Sequence, residues 1–261
     1  MYYSNGLEYI VGNSYRRQQY SDINYFSKNI NDNYGFEREN PIQFERQYSG
    51  NSIKSTQYKN QQYQLTYAIN HSFMPEIFLN PSRPKSRFVD DSDEVRSIAE
   101  ETFELMMKQE SPKNISINVL PFEEFKVIHS RFGAWSNGIL GFSINGNNKK
   151  IFVRENHLDA LMLVIGHEIG HVSTETLSNK HDEEAKAFAF SIEWAKTIKK
   201  HNIANLGLSI KEDIDFQPAR NGLHDIAFAF VDFMVKKGRK AMELHNDLVK
   251  KYVSVFDRVY L

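Results

Sequence analysis

The chain has 261 residues, with 32 basic and 33 acidic side chains and a formal net charge of −1 at neutral pH. This balance gives no overall attraction to nucleic acid or to an anionic membrane, and we expect neither as a partner. The absence of cysteine excludes disulfides, thiolate metal ligands and a cysteine nucleophile, and it fits a cytoplasmic location. The stretch MYYSNGLEYIVGNSYRRQQY has no basic region followed by an apolar one, so no secretory signal is expected there.

Residues 1–86 are dense in asparagine, glutamine, tyrosine and serine, and their aliphatic residues are sparse. Such a composition buries too little apolar surface to offset the loss of chain entropy on folding. It therefore predicts a poorly ordered N-terminal arm, with an arm docked on the rest of the protein, or a small subdomain, as alternatives. The stretch NPSRPKSR, with two prolines and three basic residues, indicates the boundary.

Residues 87–261 are predicted to form one α+β domain. Apolar spacing, capping residues and turn signals indicate, in chain order, a helix, a strand, a β-hairpin, a long helix and two further helical regions. The corresponding segments are SDEVRSIAEETFELMMKQE, NISINVLPF, GILGFSI with KKIFVRE, the helix from Asn156 through LVIGHEIGHVS, EEAKAFAFSIEWAKTIKK and HDIAFAFVDFMVKK.

The segment LVIGHEIGHVS contains two histidines four residues apart, with a glutamate directly after the first. On an α-helix these positions share one face, about 5–6 Å apart, so His167 and His171 can point at one Zn²⁺ ion. Glu168 lies about 100° around the helix from His167, too far round to be the natural third ligand. Its carboxylate can instead accept a proton from water activated by the metal and pass it to a leaving amine. This is the chemistry of the H-E-x-x-H motif, and it predicts one Zn²⁺ per chain.

The alternative is a structural helix that contains these histidines by chance. The surrounding helix is strongly apolar, so two unpaired imidazoles and a carboxylate would be costly to bury there without a role. Gly166 and Gly170 weaken helix propensity, but they would let a neighbouring strand or helix approach closely. Together with the hairpin that directly precedes the helix, these features favour a functional site.

The hairpin segments followed by HEIGH resemble the zincin metallopeptidase superfamily. The later HDEEAKAFAF is similar to the E-x-E-A-x-x-F-A segment of the ImmA/IrrE-type gluzincins. The resemblance covers roughly residues 90–200. It implies a zincin-like fold with an edge strand that binds substrate backbone by β-augmentation, and a glutamate on a second helix that completes the zinc site.

Three acidic residues, Asp182, Glu183 and Glu184, compete for the third ligand position. Alignment with the family segment favours Asp182, although the family has a glutamate there. Periodicity favours another residue, because charged side chains that recur every seven positions predict a solvent face on this helix: Lys186, Glu193 and Lys200. Asp182 and Glu183 fall towards that face, whereas Glu184 shares a face with Phe188. We therefore predict Glu184 as the ligand, with Asp182 as its closest rival.

Three other residues are weaker candidates. His224 and Arg220, in QPARNGLHDIAFAF, can fold over the cleft and donate to the oxyanion of a tetrahedral intermediate. A capping or surface role is the more ordinary expectation for His224. His181 is expected at a solvated helix N-terminus.

The sequence thus predicts a zinc-dependent metalloendopeptidase with a protein or peptide substrate. His167, His171 and Glu184 would be the zinc ligands and Glu168 the general base. Two other functions stay open. One is a regulatory or protein-binding scaffold with a zincin-like domain and little or no hydrolytic activity, and the other is a zinc amidohydrolase that acts on a small substrate. The oligomeric state is not predicted.

Overall fold

A computed structural model describes residues 73–214 and 222–257, together with the backbone of a short strand at Gln64–Leu65. Most of the predicted N-terminal arm lies outside these residues, and so does Arg220. Six α-helices occur in the described residues: α1 (Ser92–Met107), α2 (Phe122–His129), α3 (Leu158–Val172), α4 (Lys180–His201), α5 (Leu223–Lys236) and α6 (Ala241–Val249). Among these described helices, none is long and apolar enough to cross a membrane.

The strands form one four-stranded sheet and one two-stranded pair: β1 (Gln64–Leu65), β2 (Phe88–Val89), β3 (Ile115–Leu120), β4 (Gly141–Asn145), β5 (Lys149–Arg154) and β6 (Asn156–His157). The four-stranded sheet has the order β1-β4-β5-β3. β3 runs parallel to β5, whereas β4 pairs antiparallel with both β5 and β1. The predicted hairpin is therefore present, with Phe142 opposite Phe152, and the predicted α+β class is confirmed.

Helix α3 is enclosed along its whole length, and α4 packs across it. The two glycines of the motif make this close approach possible. A Cβ atom on Gly166 would lie 2.4 Å from Cδ1 of Trp194, and one on Gly170 would lie 2.9 Å from Cα of Ala187. Both distances are shorter than real Cβ contacts, so only glycine allows the two helices to meet in this way. The role expected for these glycines is confirmed.

The packed part of the chain begins before the predicted boundary at residue 86. Phe73 and Phe78 are buried in the main core, on either side of a 3₁₀ turn at Pro75–Ile77. Farther along, Ser86 Oγ donates to Asp159 Oδ1 at 2.7 Å, and the Arg83 guanidinium binds the other carboxylate oxygen at 2.7 Å. The core thus includes residues that precede the predicted boundary, because the average composition of residues 1–86 conceals the apolar stretch FMPEIFL at 73–79.

Candidate metal centre

The two motif histidines meet at one point on the buried face of α3. Nε2 of His167 lies 3.3 Å from Nε2 of His171, and their rings are perpendicular. Both side chains are buried. The i, i+4 spacing therefore brings the two imidazole nitrogens to one point, as the sequence predicts.

Glu184 supplies a third donor atom from the neighbouring helix α4. Its Oε2 lies 3.5 Å from Nε2 of His167 and 3.7 Å from Nε2 of His171. Four ligands arranged tetrahedrally at 2.0–2.1 Å from a Zn²⁺ ion are separated from one another by about 3.4 Å. The three atoms thus form a triangle whose sides match those of a zinc tetrahedron, and their chemistry is that of a two-histidine, one-carboxylate site.

The outer ring nitrogens of both histidines are held by side chains of α4. Nδ1 of His171 is 2.9 Å from Oε1 of Glu183. Nδ1 of His167 is 3.3 Å from the hydroxyl of Ser191, which donates its own proton to the carbonyl of Ala187. Since a carboxylate and an engaged hydroxyl can only accept here, each Nδ1 carries a proton, and in a neutral ring the Nε2 lone pair faces the triangle. Such partners fix the tautomer and ring orientation of metal-binding histidines.

Lys186 and Glu183 contradict the predicted solvent face of α4. Lys186 is 0% exposed, and its Nζ lies 2.9 Å from Oε2 of Glu183 and 3.2 Å from the carbonyl oxygen of His171. The same Glu183 oxygen accepts the backbone N–H of Leu177 at 2.7 Å. Because each charge has an opposite charge and further hydrogen bonds, both can be buried. The seven-residue period persists only at the far end of the helix, where Lys200 is exposed.

Asp182, the closest rival of Glu184, points away from the centre. Its carboxylate accepts the hydroxyl of Ser254 at 3.0 Å and the backbone N–H of Val255 at 2.7 Å, so it fixes the segment after α6. His181 is buried against the ring of Phe256 instead of lying at a solvated helix end, and the expectation of a solvated position is wrong.

Glu168 lies against strand β4, and its pKa is affected by the charges of His171, Glu184 and His224. A Cβ atom on Gly141 would lie 3.2 Å from Glu168 Oε1, so a glycine at this point leaves room for the carboxylate. The side chain of Ser143, farther along β4, is close enough to Glu168 to affect its pKa. Burial raises the pKa of Glu168 above its ordinary value, although the charge of His171 and the side chain of Ser143 oppose this. A carboxylate with a raised pKa is suited to act as a general base.

The two motif histidines have opposite pKa shifts. Burial lowers the pKa of His167 to about 3, against the opposing effect of Glu184. Burial also acts to lower the pKa of His171, but the carboxylates of Glu184 and Glu183 outweigh it and raise that pKa to about 9. His167 is therefore neutral, as a metal ligand must be. His171 is charged at neutral pH without a metal, balanced by the carboxylates that surround it, and a metal ion would have to displace the proton from its Nε2.

His224, on the first turn of α5, belongs to the same cluster. Its Nε2 lies 2.9 Å from Oε2 of Glu184, and its side chain is 2% exposed. His167, Glu184 and His224 each offer one ligand atom, and these atoms all lie within 4.8 Å of one another. The expectation of a capping or surface role is wrong for His224. The sequence signal is slight, since one histidine before an apolar helix is common.

Comparison of the chain with models of known protein families, with curated proteins and with solved structures finds no match.

Proposed function

We propose that the protein is a zinc-dependent metallopeptidase of the zincin type. The observation that supports this most is the triangle of His167, His171 and Glu184 donor atoms with the carboxylate of Glu168 beside it. A structural metal site needs only its ligands, whereas a buried carboxylate outside the ligand triangle is the group that a hydrolytic reaction requires. The zincin-like arrangement of sheet and motif helix, and the cytoplasmic location, are parts of the same proposal.

A Zn²⁺ ion at this centre would lower the pKa of a water molecule and polarise the carbonyl of the scissile peptide bond. Glu168 accepts the proton of the attacking water as the oxygen forms its bond to the carbonyl carbon. The carboxylic acid then gives this proton to the leaving amine as the C–N bond breaks, which returns Glu168 to its original state. Burial favours this cycle, because it raises the pKa of Glu168 towards that of a group that can both accept and donate.

His224 stabilises the negative charge that develops on the carbonyl oxygen. Its ring lies 6.0 Å from the ring of His167, on the α5 side of the centre. An N–H donor aimed at a developing oxyanion is worth on the order of 10²- to 10³-fold in rate. For this role the His224 ring moves away from Glu184 Oε2, and its N–H then faces the carbonyl oxygen of the substrate.

A second function is favoured by the short distance between His224 and Glu184. If His224 binds the metal as a fourth ligand, the site is closed and the protein is a scaffold with structural zinc. The two functions differ in whether the metal keeps an open position.

The test is hydrolysis of an unstructured protein by the purified chain, with the metal content measured in parallel. The parent should contain close to one Zn²⁺ per chain, should lose activity on chelation and should regain it with one equivalent of zinc. Glu168→Gln keeps the size of the side chain and removes the base, so the zinc content should persist while hydrolysis collapses. Unchanged hydrolysis in Glu168→Gln would refute the proposed mechanism.

A further inference from the structure

The outer edge of β4 is paired, at Ile144 and Asn145, with a segment of the chain itself. Gln64 is paired with Asn145 and Leu65 with Ile144, in antiparallel register, while the other edge of β4 is paired with β5. A backbone that pairs with a sheet edge in this way makes the same main-chain hydrogen bonds as a peptide bound by β-augmentation. β1 therefore shows what an extended peptide on this edge would look like.

The covered strand is the one that runs past the general base. Gly141 faces the carboxylate of Glu168, and the side chain of Ser143 acts to lower the pKa of that carboxylate. At the other end of β4, the side-chain amide of Asn145 donates to the carbonyls of His171 and Thr174, at 3.4 and 2.7 Å. A peptide on the outer edge of β4 thus lies beside the reacting groups.

The direction of β1 points its chain along the site. The paired residue on β4 changes from Asn145 to Ile144 as the chain advances from Gln64 to Leu65, so β1 is antiparallel to β4 and its C-terminal end is the one nearer Gly141. The next described residue, Phe73, stacks on His167 with ring centroids 4.3 Å apart. Leu65, before residues 66–72, therefore pairs with the edge of β4, and Phe73, after them, contacts the predicted metal ligand His167.

We propose that β1 occupies the position of a peptide substrate, so that the protein holds itself in an inhibited form until this strand is displaced. The inference deepens the proposed function and rests on it, because β4 must be the strand that receives substrate. The occupant is a segment of this chain, and its competitor is an extended peptide that pairs with β4 in the same register.

The tether makes the internal strand a strong competitor. A segment joined to its site by a short stretch of chain acts at an effective concentration in the millimolar range. A peptide in solution at micromolar concentration must displace it, so weakening β1 should raise the affinity for external peptide on the order of tenfold or more. The effect requires no change in the metal ligands.

The substitution Leu65→Pro tests whether β1 inhibits the protein, and it leaves the catalytic groups unchanged. Leu65→Pro removes a backbone N–H and disfavours a paired strand, whereas Leu65→Ala shortens the side chain and leaves the backbone able to pair. Both variants are made in full-length Glu168→Gln, so that a peptide can be bound without being cleaved. The probe is a labelled peptide with the sequence KNQQYQLTYAI of residues 59–69.

The expected result is binding on the order of tenfold or more tighter in Leu65→Pro than in the parent and Leu65→Ala, with little binding of a probe that itself has proline for Leu65. Gln64→Pro is a second variant in case Leu65→Pro does not fold, and the same result is expected. Hydrogen exchange of the β4 amides should be faster in the proline variants before peptide is added, and slower afterwards.

Equal affinity of all variants for the probe, with unchanged exchange on β4, would overturn the inference and leave the peptidase proposal intact. Failure of the peptidase proposal can also be distinguished from failure of this inference. If hydrolysis by the otherwise unmodified chain is unaffected by Glu168→Gln, the proposed catalysis fails, while the binding assay still decides whether β1 and an external peptide compete. Tighter binding without an increase in hydrolysis by Leu65→Pro in the active chain would show that the strand is not inhibitory, and would overturn the inference as well.

Discussion

Helix α3 and helix α4 form two walls of the same candidate centre, and the positions of their functional residues have different physical causes. On α3, His167, Glu168 and His171 lie within one and a half turns, so their arrangement follows from helix geometry alone. On α4, Glu183, Glu184 and Lys186 act through contacts with α3 and with the loop between the helices. The residues of the α3 wall are thus placed by local helix geometry, whereas those of the α4 wall are placed only when α4 packs against α3.

The dependence of α4 on packing explains why its charged side chains Glu183 and Lys186 are buried. A solvated lysine and glutamate are the usual expectation for charged residues at heptad spacing. On α4, Glu183 and Lys186 instead neutralise one another, and Glu183 holds His171 of the proposed metal centre. The α4 wall can therefore be tested by variants that leave the H-E-x-x-H motif intact.

The largest effect is expected on the α3 wall. His167→Ala and His171→Ala each remove a ligand, so zinc affinity should fall by more than the 10- to 100-fold that loss of an outer hydrogen-bond partner costs. Equilibrium competition with a chelator measures the affinity, and hydrolysis should be lost in parallel. Zinc bound as tightly as in the parent would show that the motif histidines are not ligands.

His224→Phe should distinguish a peptidase, in which His224 is an oxyanion donor, from a scaffold, in which His224 is a fourth zinc ligand. As an oxyanion donor, His224 is needed only in the transition state, so kcat should fall on the order of 10²- to 10³-fold while KM and zinc content stay the same. Steady-state kinetics with metal analysis checks this. Loss of zinc in the variant would instead identify His224 as a fourth ligand and favour the scaffold.

Glu183→Gln should weaken the centre from the α4 side. The variant removes the carboxylate that holds His171, which should cost about 10- to 100-fold in zinc affinity, and it leaves Lys186 buried without its charge partner, at about 3–5 kcal/mol of stability. Chelator competition and chemical unfolding of the metal-free protein measure the two effects.

Adding Lys186→Met to Glu183→Gln provides the control. It removes the unpaired charge, so it should restore much of the free energy of unfolding but not the zinc affinity. If the double variant recovered both, Glu183 would matter for stability alone and not for the orientation of His171.

Asp182→Ala should have the smallest effect on the centre. Its carboxylate accepts two hydrogen bonds from the segment after α6, so the free energy of unfolding should fall by about 1–3 kcal/mol with no change in zinc affinity. A urea titration beside the chelator assay tests both halves of this expectation. Weaker zinc binding would place Asp182 in the centre, as the family segment implies.

How far the sequence could predict this protein depends on whether each feature is local. The hairpin and the motif helix follow from apolar spacing and turn residues, and they are present. The position of Lys186 could not be predicted, because it requires the carbonyls of His171 and Glu175 from another element. The place of His224 likewise depends on how α5 packs against α4. β1 could not be predicted either, since a two-residue strand carries almost no periodic signal.

The most direct test of the centre is the zinc affinity of Glu184→Ala, measured beside that of Asp182→Ala and the parent. Glu184 is the one predicted ligand that lies on the α4 wall, so it joins the two walls in a single site. We expect one Zn²⁺ per chain in the parent and in Asp182→Ala, and a loss of affinity in Glu184→Ala as large as that in His171→Ala. Parent-like zinc binding in Glu184→Ala would contradict the account.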